Sequence, residues 1–255
     1  MSLGDVFEKL GQRIATAGYL WKNRAYADVR KNGGARDLYR LLNKPWLRRL
    51  NIGTVVDVGA NEGQFIRTAQ ALLPQRPILA FEPNPQHLES LRTLLAGTAG
   101  SEALNMACGR EQSQMSLNVS EFSPASSLLP ITPAIIGKFP EAATARTISV
   151  EVARLDHIVK QRAQLPRPLL LKLDVQGFEL EVLRGTTQVF PEVAAIVCEV
   201  TTVSFYEGQT AFGELCTFLR EHGFRVVDLG EPVRGDDEEA MWFDIAFRNE
   251  SFDKK

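Results

Sequence analysis

Short apolar runs alternate with helical stretches along the chain from residue 53 onward. This alternation predicts an α/β domain with a parallel, doubly wound sheet, because a parallel strand needs a crossover connection before its neighbour. The last two runs are separated by an acidic loop at 235–239, so we expect an antiparallel hairpin at one edge. Strands are expected at 54–58, 78–81, 103–107, 148–152, 168–174, 194–200, 224–229 and 241–247, and helices at 62–73, 86–96, 156–161, 178–185 and 211–222.

The segment 109–145 is rich in Ser and Pro and is expected to be loop-like, with 115–119 as a candidate strand. Loops of this length in a compact domain are usually functional or disordered. The part at 120–139, which contains Ser126 and Ser127, is therefore a candidate lid over a ligand.

The first 50 residues differ in charge from the rest, with 11 Lys and Arg against 4 Asp and Glu in a chain of net charge −2. Apolar residues recur every three to four positions from Val6 to Trp21, which is typical of an amphipathic helix. A second short helix is expected at 37–43, ending before Pro45. We interpret residues 1–50 as a basic helical extension and 51–255 as one domain.

Composition excludes several classes of protein. The hydrophobic fraction of 44% suffices for a core, and no apolar run nears the roughly 18 residues of a membrane span. Acidic Asp5 and Glu8 interrupt any signal-peptide pattern. The net charge gives no reason to expect a nucleic-acid partner. The three cysteines (Cys108, Cys198 and Cys216) form no CxxC pair, which argues against a zinc site or a disulfide framework and favours the cytoplasm.

The first strand leads into a turn with the sequence DVGANEG at 57–63. A dinucleotide-binding turn, G-x-G-x-x-G, needs its middle glycine for the pyrophosphate, but Asn61 stands at that position. Asp57 before the turn would repel a pyrophosphate and suits a ligand with an ammonium or sulfonium charge. The turn therefore disfavours an NAD-linked oxidoreductase. The alternative to a ligand-binding turn is an ordinary connection between a strand and a helix.

A second acid, Glu82, ends the next strand, where Rossmann-like sites bind ribose hydroxyls. A solvated acid at a strand end would explain Glu82 alone. Asp57 and Glu82 together, without a pyrophosphate glycine, point to a nucleoside that carries a positive group, namely S-adenosylmethionine.

A third cluster has the sequence LKLDVQGFE at 171–179. Lys172 and Asp174 share one strand face, and Asp174 lies at the carboxyl end, where open α/β sheets bind ligands. Glu199 ends the following strand and is expected beside Asp174. Lys172 needs a charged partner in its apolar strand. Glu179 has a structural alternative, since an acid in a first helical turn complements the helix dipole.

An ordered set of motifs over about 55–247 resembles the FkbM-type S-adenosylmethionine-dependent methyltransferases. The resemblance implies a class I methyltransferase fold, Rossmann-like with a mostly parallel seven-stranded sheet. It also implies methylation of a hydroxyl oxygen on a sugar, polyketide or other small molecule. The motifs are DVGAN with Gly63, FEPN at 81–84, SSL at 126–128, RLD at 154–156, KLDVQGFE at 172–179, and Glu199.

The resemblance also assigns residues to parts of the cofactor. The third strand lacks the acid that many methyltransferases use for the adenine amino group, so backbone groups are expected there. By position, Asp57, Gly59, Ala60, Asn61 and Gly63 would surround the methionine part, Glu82, Pro83 and Asn84 the ribose, and Ala107 and Cys108 the adenine.

The expected chemistry is in-line attack by a substrate oxygen on the sulfonium methyl. A neutral alcohol is a poor nucleophile, so a general base should take its proton. Asp174 is the first candidate for this base and Glu199 the second, and their repulsion would raise one pKa. The two acids leave room for Mg²⁺ without establishing a metal site.

Two other functions are weighed against this one. Nucleobase methylation normally brings an Asn/Asp-Pro-Pro-aromatic motif or a Pro-Cys nucleophile, and the sequence has neither. A non-catalytic methyltransferase-fold module would instead use the basic N-terminal helices to engage an acidic partner, RNA or a membrane surface. Those helices would otherwise cover the core or form the interface of a homodimer.

Overall fold

The computed structural model describes residues 24–253. The helix expected from Val6 to Trp21 lies outside these residues. Among the residues described, no helix is both long and apolar enough to cross a membrane. The helices are α1 (Arg24–Lys31), α2 (Arg36–Leu42), α3 (Pro45–Arg48), α4 (Gln64–Leu72), α5 (Pro85–Leu95), α6 (Pro133–Lys138), α7 (Leu155–Lys160), α8 (Glu179–Arg184) and α9 (Phe212–Glu221). The strands are β1 (Thr54–Val58), β2 (Ile78–Phe81), β3 (Glu102–Leu104), β4 (Ala107–Cys108), β5 (Ser113–Ser120), β6 (Thr144–Ala153), β7 (Leu169–Leu173), β8 (Val193–Thr201), β9 (Phe224–Leu229), β10 (Val233–Arg234) and β11 (Ala240–Asn249).

Within residues 24–253 the main sheet has eight strands, in the order β10-β11-β8-β7-β1-β2-β3, with β9 also paired to β11. The strands β3, β2, β1, β7 and β8 run parallel, and β11 is antiparallel to both β8 and β9. The structure thus confirms the doubly wound, mostly parallel sheet with antiparallel C-terminal strands. The two-residue strand β10 is additional to the seven expected.

Alternate residues of the central strands belong to two hydrophobic clusters, one on each face of the sheet. Val56 and Leu171 pack in a cluster with α7, α8 and α9. Val55 and Leu170 pack in the other cluster with α2, α4 and α5. Both sides of each strand are therefore apolar, as expected of a parallel sheet covered by helices.

The expected loop-like character of residues 109–145 is wrong for much of the segment, whereas the candidate strand at 115–119 is confirmed as part of β5. The strand β5 pairs antiparallel with β6 over its whole length, and β4 adds to β6 to make a second, three-stranded sheet. The strand expected at 103–107 is divided between β3 in the main sheet and β4 in this second sheet. The first half of β5 is largely exposed, so backbone pairing rather than an apolar pattern defines it.

Candidate active site

Strand register brings charged residues to one face of the main sheet. Asp57 of β1 lies opposite Lys172 of β7, and Glu199 of β8 lies opposite Asp244 of β11. Each of these positions is two residues from a member of the cluster on the α4 side, so all four point toward that face. Asp174 continues the row immediately after β7.

A cavity of about 200 Å³ opens at this edge of the sheet. Ala35 and Leu38, from the N-terminal helical region, form part of its wall. Gly63 is the one predicted site residue that does not line it. The other predicted residues all do: Asp57, Gly59, Ala60, Asn61, Glu82, Pro83, Asn84, Ala107, Cys108, Asp174 and Glu199.

The turn after β1 contains two glycines at positions where a larger side chain would clash with neighbouring atoms. Gly59 has φ +84°, and a Cβ there would lie 1.9 Å from the carbonyl oxygen of Asp174. Gly63 has φ +83°, and its Cβ would lie 2.7 Å from the Leu94 side chain of α5. Only glycine therefore lets the turn approach the end of β7 and lets α4 begin against α5.

Glu82 connects the turns that follow β1 and β2. Its Oε1 accepts a hydrogen bond from the backbone N of Asn84, and its Oε2 accepts one from the backbone N of Asn61, both at 2.7 Å. Burial raises the pKa of Glu82 to about 7 although these two bonds act in the opposite direction. Each carboxylate oxygen retains lone-pair capacity, so the side chain can also accept hydroxyl hydrogen bonds from a ligand.

Asp57 is almost completely buried, with 1% exposure. Among the described residues its Oδ2 has no hydrogen-bond partner. Burial raises the pKa of Asp57 to about 7; Lys172 opposes this shift, while Asp174 and Glu82 add to it. A buried oxygen without a partner costs free energy that a donor or a cation in the cavity would recover.

Lys172 places an ammonium group among these acids. It is 1% exposed, and its Nζ lies 3.2 Å from Oδ2 of Asp174 and 3.8 Å from Oδ1 of Asp244. Burial lowers the pKa of Lys172, but the carboxylates of Asp174, Asp244, Glu199 and Asp57 outweigh it and hold the pKa above its usual value. The lysine thus has the charged partners that its apolar strand requires.

Gln176 links the two candidate bases. Its Nε2 donates hydrogen bonds to Oδ1 of Asp174 and Oε1 of Glu199, both at 2.8 Å. The hydroxyl of Tyr206 donates to Oε1 of Gln176 at 2.9 Å. Burial and the charge of Asp174 raise the pKa of Glu199 well above its usual value. The amide therefore fixes both carboxylates, and Tyr206 fixes the amide.

Three residues of the site, Gln176, Tyr206 and Asp244, were not predicted from the sequence. Gln176 lies inside the 172–179 motif, two residues after Asp174, so its position was a signal. Asp244 interrupts the apolar sequence WFDIAF, the same kind of signal that drew attention to Lys172. Tyr206 follows β8 in an irregular segment and carries no pattern that distinguishes it.

The segment at 120–139 closes over the cavity. The hydroxyl of Ser123 donates to Oδ1 of Asn61 at 2.7 Å and lies 2.8 Å from Nε2 of His87. The hydroxyl of Ser127 donates to the carbonyl oxygen of Gln176 at 2.8 Å. These contacts attach the segment both to the turn after β1 and to the turn after β7.

Two motif positions support the fold near the site. Oε1 of Glu179 accepts hydrogen bonds from the backbone N of Val175 and of Gly177, both at 3.2 Å, which holds the turn after β7. Buried Asp156 accepts from Nε of Arg154 at 3.0 Å. Within residues 24–253, no group of three His, Cys, Asp or Glu side chains is arranged to hold a metal ion.

Comparisons with known proteins show the family of the chain. A family model described as "Methyltransferase FkbM domain" matches residues 57–226. The 31-O-demethyl-FK506 methyltransferase FkbM of Streptomyces tacrolimicus is 29% identical over 231 residues, which cover 79% of this chain and 86% of that protein. Methyltransferase 1 of Beauveria bassiana is 28% identical over 206 residues, with coverage of 76% and 81%.

The name of a third relative refers to a hexuronic acid. The hexuronic acid methyltransferase AglP of Haloferax volcanii is 27% identical over 173 residues, with coverage of 68% of this chain and 64% of that protein. Since the family model spans more than half of the chain, the protein belongs to the FkbM family of S-adenosylmethionine-dependent methyltransferases.

Proposed function

We propose that the protein binds S-adenosylmethionine in the cavity at the carboxyl edge of the sheet and methylates a hydroxyl oxygen of a small molecule. The observation that carries this proposal is Oδ2 of Asp57, which is buried in the cavity wall one strand from Glu82 and has no hydrogen-bond partner among the described residues. A nucleoside with a cationic substituent satisfies both acids, whereas a pyrophosphate would be repelled by them.

The cavity provides matching groups for each part of the cofactor. Glu82 would accept hydrogen bonds from the ribose hydroxyls, and Asp57 would face the positively charged end. Met106 and Leu128 supply apolar surface near Cys108 for the adenine ring. The cofactor supplies a methyl group activated by a sulfonium charge.

Glu199 is our proposed proton acceptor. It lines both this cavity and a neighbouring apolar one, whereas Asp174 lines only the first and is paired with Lys172 at 3.2 Å. The acceptor oxygen would form a bond to the methyl carbon while the carbon–sulfur bond breaks with its electron pair on sulfur. The hydroxyl proton passes to Glu199, and Gln176 holds that carboxylate in position.

The Asp174–Lys172 pair has a different role in this proposal. The ammonium of Lys172 lies 3.2 Å from the carboxylate of Asp174, and burial together with the charge of Asp174 raises the pKa of Glu199. A raised pKa makes Glu199 a stronger base for the hydroxyl proton, which is the property required of a general base near neutral pH.

Calorimetric titration with S-adenosylmethionine tests the proposal, with NAD as a control ligand. Glu82→Gln should weaken binding by about 10- to 100-fold, since a hydrogen bond to a charged group contributes about 1.5–3 kcal/mol. Glu62→Gln is the matched control, because Glu62 lies in the neighbouring turn after β1, is exposed and does not line the cavity. A folded wild-type protein that binds no S-adenosylmethionine, or a Glu82→Gln variant that binds as tightly as wild type, would refute the proposal.

A further inference from the structure

A second cavity, of about 420 Å³, adjoins the first. Pro124, Gln176 and Glu199 line both, so the two spaces meet beside the proposed base. The volume lies within the range of about 300–1,000 Å³ that is typical of small-molecule sites. The side chains that form its apolar wall are Phe122, Pro124, Ala125, Ile131, Ile135, Phe139, Ala142, Phe205, Tyr206 and Trp242.

Most polar groups on this wall already have partners inside the protein. The hydroxyl of Tyr206 contacts the carbonyl oxygen of Ala125 at 3.1 Å as well as Gln176. Oγ1 of Thr201 accepts a hydrogen bond from Nε2 of Gln209 at 2.8 Å. The cavity therefore offers many apolar surfaces and few groups that could replace water around a polyhydroxylated ligand.

The charged groups on the wall are both acids. Glu199 stands at the junction with the first cavity, and Glu141 is exposed at the other side. Neither would favour an anionic ligand. Aromatic rings dominate the remainder: Phe205 and Trp242 pack edge to face with ring centroids 5.6 Å apart, and Phe122 is 54% exposed.

We propose that this second cavity is the acceptor site, and that the acceptor is a neutral molecule whose hydroxyl group is carried on an apolar carbon skeleton. This inference rests on the proposed function. A sugar would lose the hydration of its other hydroxyls without compensation on these walls, which disfavours its binding. An apolar skeleton gains free energy in proportion to the surface area that it buries.

A neutral fluorescent probe, N-phenyl-1-naphthylamine, tests the site without a known substrate. We expect its fluorescence to rise on binding, and 2-naphthol, a phenol with an apolar ring system, to displace it. Methyl glucopyranoside and methyl glucuronide should leave the signal unchanged at the same concentration. Displacement by either sugar at concentrations comparable to 2-naphthol, or no binding of the probe, would overturn the proposal.

Variants locate the probe in the cavity. Ile135→Glu introduces a carboxylate into the apolar wall and should weaken probe binding at least tenfold. Ile136→Glu makes the same change on the same helix at a residue that does not line the cavity, and should leave probe binding within twofold of wild type. Ala125→Trp fills the cavity without introducing a charge and should also abolish binding, which covers the case that Ile135→Glu fails to fold.

Titration of the same samples with S-adenosylmethionine separates the two proposals. All three variants should bind the cofactor with wild-type affinity. Probe binding that responds to the variants in a protein that binds no S-adenosylmethionine would refute the proposed function and leave an apolar ligand site. Cofactor binding without any probe binding would refute the acceptor site alone.

Discussion

Replacement of Lys172 with Met tests whether its ammonium group compensates the buried carboxylates of the site. The lysine is buried and lies 3.2 Å from Asp174 and 3.8 Å from Asp244. At an effective dielectric constant near 20, two unit charges at 3.2 Å interact with roughly 5 kcal/mol. The Asp174 side chain is 35% exposed, so solvent reduces this value. Because removal of one partner leaves buried charge uncompensated, we expect Lys172→Met to lower the free energy of unfolding by about 3–5 kcal/mol at pH 8.

The cost should depend on pH. Burial raises the pKa of Asp57 to about 7 and that of Asp244 to about 6. At pH 5 these carboxyl groups hold protons, so less negative charge loses its counter-ion in the variant. The loss of stability at pH 5 should therefore be smaller than at pH 8 by at least about 1 kcal/mol, the scale of one pKa unit.

Urea unfolding of both proteins at the two pH values measures this difference. Lys44→Met is the matched control, because Lys44 also lies 3.8 Å from a carboxylate, that of Asp228, but with 46% of its side chain exposed. Surface pairs contribute about 0–1 kcal/mol, so this control should lose less than that. If Lys172→Met lost under 1 kcal/mol at both pH values, Lys172 would not compensate the buried carboxylates.

Three further predictions concern the proposed binding site and turn. Affinity for S-adenosylmethionine should rise about tenfold between pH 6 and pH 8, because Asp57, with a pKa of about 7, must lose its proton to face a cation. Calorimetry in buffers of different ionisation enthalpy should detect the released proton. Because burial raises the pKa of Asp57, protonation of this residue stabilises the free protein below pH 4, and the stabilisation is lost as the pH rises through about 7. Asp57→Asn should therefore be more stable than wild type at pH 8 in thermal unfolding, but should bind the cofactor at least tenfold more weakly. A variant less stable than wild type at pH 8 would contradict this. Gly59→Ala should cost at least about 2 kcal/mol in urea unfolding, since its Cβ would lie 1.9 Å from the Asp174 carbonyl oxygen, and a near-neutral result would mean that the turn can move.

One prediction addresses turnover. Gln176→Leu removes the amide that joins Asp174 to Glu199 and should lower kcat by about 10- to 100-fold with any accepted apolar alcohol, the scale of lost charge-assisted hydrogen bonds. The Kd for S-adenosylmethionine should stay within about twofold, and Gln188→Leu on the surface serves as the control. If both variants had the same kcat, Gln176 would have no role in the proposed reaction.

The parts of the fold that could be predicted are those encoded by local pattern. The buried strands β1, β7 and β8 are mostly apolar, each with a single charged residue, and their observed ends lie within two residues of those expected. The strand β5 has a polar sequence and is stabilised by pairing with β6, which lies more than twenty residues away in the chain. Strands were predicted at 115–119 and 148–152, within β5 and β6, but pairing between distant segments leaves no local signal, so their assembly into a second sheet was not predicted.

The site divides in the same way. Asp57 lies near the carboxyl end of a predicted strand and Glu82 follows the next one, so their position relative to the sheet was enough to predict that both lie at the cavity. Asp244 contributes because β11 inserts next to β8 in a register that places it opposite Glu199. Periodicity along one strand cannot give the order of strands in a sheet, so the full set of charges around Lys172 could not be predicted.

The insertion of β11 between β8 and β9 has a consequence for synthesis of the protein. All the other central strands are synthesised before β11, so β8 remains an unpaired edge of the sheet until residues 240–249 have emerged from the ribosome. Exposed edges of this kind favour pairing with other chains. The negative charges near Lys172 are likewise incomplete before Asp244 arrives. Nascent chains that end before β11 should therefore be prone to aggregation, and chaperone binding should concentrate at this late stage of translation.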